Sequence, residues 1–319
     1  MHVPVLLKEV LEYLNVQKGK KFVDGTAGGG GHIFAIKHAN PKAKILGIDL
    51  DQTSLDNLQT EVDQKGLGQT IELVQGNYRD IDKILSAAKF GSVDGILVDL
   101  GFSSMQLDHP DRGFSFQQDS PLDMRYDTSS KLTAADVVNR YHQKELEKVI
   151  AEFGEDRFYR RIAQGLIASR KAKPIETTSQ LAESVRKAVP PQVRFKANDN
   201  IRRVFQAIRI EVNRELENLK IFLPKALDLL TPAGRLVIIS FHSLEDRIVK
   251  EFFREQAKDC ICPPEFPMCV CGKASKLRIL TRKPVTATEQ ELEENPKSKP
   301  AKLRACEKIE SAKKIKTKY

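Results

Sequence analysis

The run Phe22-Val23-Asp24-Gly25-Thr26-Ala27-Gly28-Gly29-Gly30-Gly31-His32 sets glycines after an apolar stretch and at the opening of a helical one. Glycine permits positive φ and close approach of the backbone to a ligand, and a helix N-terminus offers unpaired N–H groups. Such a turn can cradle a nucleotide-like cofactor; taken alone, it can equally be a tight structural loop. Its spacing is not the dinucleotide G-x-G-x-x-G, since Gly25 is followed by Gly28, so hydride-transfer chemistry fits poorly. Asp49 closes a second apolar run, where a carboxylate can accept hydrogen bonds from both hydroxyls of a ribose. Tyr78, in Gly76-Asn77-Tyr78, follows a third run, where its ring can cover an adenine face. Turn, acid and aromatic in this order describe an S-adenosylmethionine site better than a dinucleotide site.

A fourth run ends in Asp99-Leu100-Gly101-Phe102-Ser103-Ser104, where open α/β sheets place their chemistry. A carboxylate there, with neighbouring backbone carbonyls, can hold the hydrogens of an amine whose lone pair is delocalised and aim its nitrogen at a methyl donor. Positioning would then do most of the catalysis. Asp99 is the first candidate for that role and Ser103 the second, with turn capping as the plainer reading of both. His242, in Ser240-Phe241-His242-Ser243-Leu244-Glu245-Asp246-Arg247, can contact a base or a phosphate. Ser243, with Asp246 three residues on, is expected to be a helix N-cap.

The elements that must position these residues follow from periodicity. Strands are expected at Lys21–Asp24, Lys44–Asp49, Ile71–Gln75 and Val93–Leu100, with helices between them at Ile33–Ala39, Thr53–Lys65 and Arg79–Ala88. This alternation is that of an α/β parallel sheet covered on both faces. From Phe102 to Ser130 the rhythm breaks. Helical stretches at Ala134–Asn139, Gln143–Phe153, Arg157–Arg170 and Thr178–Ala188 then mark an inserted, mostly helical domain. The α/β pattern resumes with one long helix, Phe205–Leu230, a turn at Thr231-Pro232-Ala233-Gly234, a strand Arg235–Phe241 and a helix Leu244–Gln256. Two last strands are expected at Leu277–Arg282 and Leu303–Lys308. The expected domains are 1–105 and 205–309 for the two parts of the sheet, 106–204 for the insert, and 310–319 for a basic tail.

At 319 residues and 40 % apolar composition, the chain can bury one large core or two smaller ones. Lys8 and Glu9 stand where a signal peptide would be apolar, and no eighteen-residue apolar run exists, so a cytoplasmic protein without a membrane partner is expected. The net charge of +9 is concentrated. Arg157 to Arg214 holds fourteen Lys or Arg against four acids, and Lys297 to Tyr319 holds nine against two. Two basic zones in an otherwise acidic chain suit a polyanion, and Arg202, Arg203 and Arg209 are candidates for phosphate contact, with Arg209 alternatively a brace. Four of five cysteines crowd into Cys260, Cys262, Cys269 and Cys271. Their C-x-C spacing is less typical of zinc than C-x-x-C. No metal is assigned to the chain on this evidence, and whether these thiols bind one stays open.

Asp24-Gly25-Thr26 with Gly30-Gly31-His32, Asp99-Leu100-Gly101 with Ser103-Ser104 and Gln106-Leu107-Asp108, Arg112 to Phe116, Pro121 to Arg125, Phe205 to Arg209 with Val212-Asn213, and Ser240 to Arg247 occur in a characteristic order. Together they resemble the bacterial small-subunit ribosomal RNA cytosine-N4 methyltransferase family over nearly the whole chain. The resemblance implies a Rossmann-like class I S-adenosylmethionine methyltransferase sheet with an inserted helical substrate-recognition domain. It implies N4-methylation of a cytidine in 16S rRNA near the decoding centre, on naked RNA or on the assembled small ribosomal subunit, and it is compatible with a homodimer. By motif, cofactor contacts fall to Gly30, Gly31, His32, Asp49, Tyr78, Asp99 and Gln106. Phe102 and Met105 replace the family's usual Val and Pro, changes that bear on base contacts. The cysteine pairs occur in only part of that family and are not read as catalytic. Two readings compete: a DNA amino-methyltransferase, whose Pro-Pro-aromatic tetrapeptide is missing from Asp99 to Phe102, and a non-catalytic ribosome-assembly factor, which would need only the basic zones.

Overall fold

The computed structural model describes residues 4–101, 111–263, 266 and 269–310. Contacts divide the chain into two units, one of Met1–Gly101 with Glu217–Tyr319 and one of Phe102–Leu216.

The first unit is built on a seven-stranded sheet of order β3-β2-β1-β4-β5-β7-β6. Its strands are β1 (Lys21–Asp24), β2 (Lys44–Asp49), β3 (Ile71–Gln75), β4 (Val93–Asp99), β5 (Leu230–Ser240), β6 (Leu277–Ile279) and β7 (Lys302–Lys308). β1 to β5 run parallel, and β7 is antiparallel to both β5 and β6. The central strands are continuous apolar runs such as Ile96-Leu97-Val98 because helices cover both faces, leaving no wet side for polar alternation. On one face pack α1 (Leu7–Leu14), α2 (Gly31–Ala39) and α3 (Gln52–Gln64), through Leu14, Ile33, Ile36, Leu55 and Leu58. On the other, α4 (Ile81–Ala87) contributes Ile81 and Leu85, and Leu219, Phe222, Leu223 and Phe253 join the same core. This is the Rossmann-like methyltransferase sheet that the motifs implied.

The second unit is helical among its described residues: α5 (Ala134–Arg140), α6 (Gln143–Gly154), α7 (Tyr159–Ala172), α8 (Thr178–Ala188) and α9 (Ala197–Asn213). Thr133 with Asp136, and Thr177 with Gln180, form capping boxes that start α5 and α8. Ile201, Val204, Phe205 and Ile208 of α9 lie in this unit's core with Leu146, Ile150, Ile162 and Leu181. The boundary therefore falls at Leu216, not ahead of Phe205. Asn213 clamps the Pro121–Arg125 segment: its Nδ2 donates to Met124 O at 2.7 Å and its Oδ1 accepts from Tyr126 N at 2.7 Å. Met124, at one end of this clamp, has φ 60°, a conformation a non-glycine side chain rarely holds unsupported.

Three sequence expectations are corrected. The single helix over 205–230 is two, α9 and α10 (Glu215–Leu229), broken at Arg214, which is left-handed at φ 51°. At the break, Arg209 Nε and Nη2 donate to Glu215 Oε1 and Oε2 at 2.9 and 3.0 Å. Residues six apart do not face each other on a continuous helix, so the pair requires the break. With side chains 13 % and 7 % exposed, Arg209 is a brace and not a phosphate ligand. The turn over 231–234 is a bulge within β5: Leu230 pairs with Val93 and Arg235 with Gly95, so the intervening residues loop out of register. Ser243 is the first residue of α11 (Ser243–Gln256), not its cap; the cap position belongs to His242. An acid holds it, as Glu245 accepts from Phe241 N at 2.9 Å and from His242 N at 3.4 Å.

Candidate active site

The site forms where β1, β2 and β4 end side by side, each closing on an aspartate. The glycine turn is fastened to the sheet by its own backbone: Gly25 N donates to Leu97 O and Ala27 N to Ile48 O, each at 2.8 Å. Gly30 is the residue before α2, at φ 77°, a conformation that favours glycine, and a Cβ there would lie 2.3 Å from Leu58 Cδ1 and displace it. Gly25 passes so close to β4 that a Cβ would meet Val98 Cγ2 at 2.9 Å.

Asp49 ties the turn to β2. Its Oδ2 accepts from Gly28 N at 2.7 Å and its Oδ1 from Asp51 N at 2.9 Å. Each oxygen keeps a lone pair, the capacity needed to receive two ribose hydroxyls. Burial raises the pKa of Asp49, partly offset by these backbone donors. Tyr78 begins a single 3-10 turn after β3, and its ring meets Phe222 edge-on, centroids 5.2 Å apart and planes at 87°. That contact fixes the ring's plane.

Asp24, 1 % exposed, is the buried centre of the cluster. Its Oδ1 accepts from Thr26 N at 3.1 Å, and Thr26 Oγ1 donates to it at 3.4 Å while accepting from Asp99 N at 2.8 Å. Burial, with a smaller push from Asp99 and Asp49, raises Asp24 to a pKa of about 6 against the pull of His32. Thr26 thereby couples the ends of β1 and β4. Sequence reading passed over this bridge, although a hydroxyl placed between Gly25 and the glycine run was its visible trace.

Asp99 ends β4 with Oδ2 3.7 Å from His32 Nε2. Among the described residues, Asp99 Oδ1 and both ring nitrogens of His32 are buried without a hydrogen-bond partner. Buried polar atoms are nearly always satisfied, so a group of them without partners at one strand end calls for an occupant such as a ligand or water. A cofactor bearing amine, carboxylate and hydroxyl groups fits this donor set of amides, carboxylates and imidazole. His242 stands at the end of β5, next to β4, its Nε2 3.2 Å from Glu245 Oε1 and its side chain 8 % exposed. The structure therefore brings together Gly30, Gly31, His32, Asp49, Tyr78 and Asp99 at adjoining strand ends, with His242 on the neighbouring strand. Ser103 and Gln106, with Phe102 and Met105, lie outside the described residues.

Among the described residues no helix is long and apolar enough to cross a membrane. The model of the MraW methylase family matches residues 1–309. A protein from Carboxydothermus hydrogenoformans called ribosomal RNA small subunit methyltransferase H is 47 % identical over 98 % of this chain and 99 % of its own length. Proteins of the same name from Caldicellulosiruptor saccharolyticus and Heliobacterium mobile are 47 % and 44 % identical, each over 97 % of this chain and 99 % of theirs. The match of the family model to residues 1–309 and the near full-length similarity to these relatives lead to one conclusion: this chain belongs to the MraW methylase family.

Proposed function

We propose that the chain transfers a methyl group from S-adenosylmethionine to the N4 amine of one cytidine of 16S rRNA, near the decoding centre, in the cytoplasm. The observation that carries the reading is the strand-end cluster, in which Asp99 Oδ1 and both His32 nitrogens are buried and unsatisfied beside a glycine turn. The bound cofactor supplies a methyl on a sulfonium: the N4–C bond forms as the S–C bond breaks, the bonding pair passes to sulfur, and N4 loses a proton.

The chain's own residues do the positioning. Asp49 takes the ribose hydroxyls, Tyr78 covers the adenine, and Gly30, Gly31 and His32 hold the remaining polar groups. Gln106 is assigned to the cofactor with them. The cytosine amine is a weak nucleophile because its lone pair is shared with the ring. Asp99 accepts an amine hydrogen, favours the positive charge that develops on nitrogen, and receives the proton or passes it to water. Ser103 and His242 are assigned to the base side of the site.

The phosphate surface of the proposal is the second unit. Arg157, Arg160, Arg161, Arg202 and Arg203 are exposed there, and Phe195 is 80 % exposed with Lys196 Nζ 5.4 Å from its ring centroid. Exposed cations beside an exposed ring suit RNA, whose splayed bases stack on aromatic side chains. The names of the relatives point the same way. A non-catalytic assembly factor would make no use of the buried unsatisfied atoms. The test offers donor carrying a labelled methyl together with purified small ribosomal subunits, with extracted rRNA and with DNA. Label in small-subunit RNA and not in DNA is expected; label in DNA, or none in any acceptor, overturns the proposal.

A further inference from the structure

The methyl-transfer reading leaves Cys260, Cys262, Cys269 and Cys271 unused. They lie between α11 and β6, far along the chain from every residue of the strand-end cluster. Their sulfurs nevertheless converge. Cys260 Sγ is 3.4 Å from Cys269 Sγ and 3.8 Å from Cys271 Sγ, and Cys269 Sγ is 3.5 Å from Cys271 Sγ and 4.0 Å from Cys262 Sγ. All four lie within 4.8 Å of one another. One ion bound tetrahedrally by thiolates at about 2.3 Å sets its sulfurs about 3.8 Å apart. We propose that these four thiolates hold a single structural zinc ion.

Three further features agree. First, backbone amides point at the sulfurs: Ile261 N donates to Cys271 Sγ at 3.4 Å, Cys262 N to Cys260 Sγ at 3.3 Å and Val270 N to Cys262 Sγ at 3.4 Å. Gathering four thiolates concentrates negative charge, and amide donors around them offset that cost. Second, the large apolar side chains described in the segment are exposed. Ile261, Phe266 and Val270 are 57 %, 48 % and 74 % exposed, so they form no core beneath it. Its stem is tied, with Lys276 N donating to Gln256 O at 2.9 Å and Lys273 paired with Glu255, so the ion closes a loop already held at its base. Third, the donor set selects the metal. Four thiolates fill a tetrahedron and leave no open position, which suits a structural site, and soft sulfur ligands favour zinc over magnesium or calcium. A polynuclear iron–sulfur cluster would share the four thiolates among two or four irons and spread them wider. Cys306, the fifth cysteine, is buried in β7 and takes no part.

The test uses the full chain, purified without chelator from medium containing both zinc and iron, and reads metal by mass spectrometry. About one zinc per chain is expected, falling below about one-tenth in the variant carrying Cys260→Ser, Cys262→Ser, Cys269→Ser and Cys271→Ser. Cobalt added to the stripped wild type should give the visible d–d bands and thiolate charge-transfer absorption of a tetrahedral sulfur site. Where the fourfold variant fails to fold, chelation of the wild type replaces it: protease should then cut between residues 257 and 275 while far-ultraviolet circular dichroism stays unchanged. Folded wild type without zinc and without a cobalt spectrum overturns the proposal, as does zinc retained by the fourfold variant, or iron in its place.

Discussion

Three aspartates close three adjacent strands, and their surroundings separate their tasks. Asp99 keeps an unsatisfied oxygen at the strand end, so Asp99→Asn, which preserves shape and loses charge, separates its two assigned roles. If the carboxylate acts on the transition state, single turnover at saturating cofactor and subunit falls about a hundredfold or more with cofactor affinity nearly unchanged. Wild-type turnover there would remove Asp99 from the chemistry. Asp49 accepts from Gly28 of the turn and from Asp51 and is the residue proposed for the ribose, so Asp49→Ala is expected to weaken the cofactor's Kd by roughly 1.5 to 3 kcal/mol in a calorimetric titration. An unchanged Kd would exclude it from the site. Asp24 has a pH signature. Its folded pKa of about 6 lies above the ordinary 3.8, so the native state holds the proton more tightly than the unfolded chain does. The free protein is thus penalised as pH rises from about 4 to 6, by an amount on the order of 3 kcal/mol that is full above that window. Asp24→Asn should therefore melt higher than wild type at pH 7 and match it near pH 4; equal melting temperatures at both would contradict the assignment.

At the scale of elements, the break between α9 and α10 is held by the buried Arg209–Glu215 pair. Arg209→Met strands a buried carboxylate and is expected to lower stability in urea by about 3 to 5 kcal/mol, with little change in the salt dependence of RNA binding. A wild-type midpoint would show that the break is set elsewhere. This element also marks where sequence reading stopped short. β1, β2, β3 and α8 match their expected bounds, because buried parallel strands are unbroken apolar runs and Thr177 with Gln180 is a local capping signal. Arg214 carries no such signal: its left-handed turn is imposed by a pair six residues apart, which periodicity does not see. The bulge in β5 is likewise settled by pairing with β4, and the cap at His242 by an acid three residues on that also serves Phe241. The α1 helix went unforeseen altogether. Within the site, the glycine turn, Asp49, Tyr78 and Asp99 were legible as types at strand ends. The Asp24–Thr26–Asp99 bridge was not, since it exists only once β1 and β4 lie side by side.

At the scale of the molecule, a cofactor unit and a basic helical unit divide the work that the proposal requires. Arg202 and Arg203 are exposed on α9, with side chains 68 % and 49 % accessible, so replacing both by Gln should remove about two phosphate contacts. The slope of log K against log salt is then expected to become shallower by about 2 with cofactor affinity unchanged, and a wild-type slope would take the second unit's α9 out of the RNA surface. The identity of the methylated product distinguishes this enzyme from every other methyltransferase class. Small subunits bearing an unmodified decoding-centre cytidine are incubated with the enzyme and methyl-deuterated S-adenosylmethionine, and the rRNA is digested to nucleosides for mass spectrometry. One deuterated N4-methylcytidine per subunit is expected, absent with Asp99→Asn on the same timescale. Deuterium on carbon 5 of cytosine, on a ribose hydroxyl or on another base would contradict it.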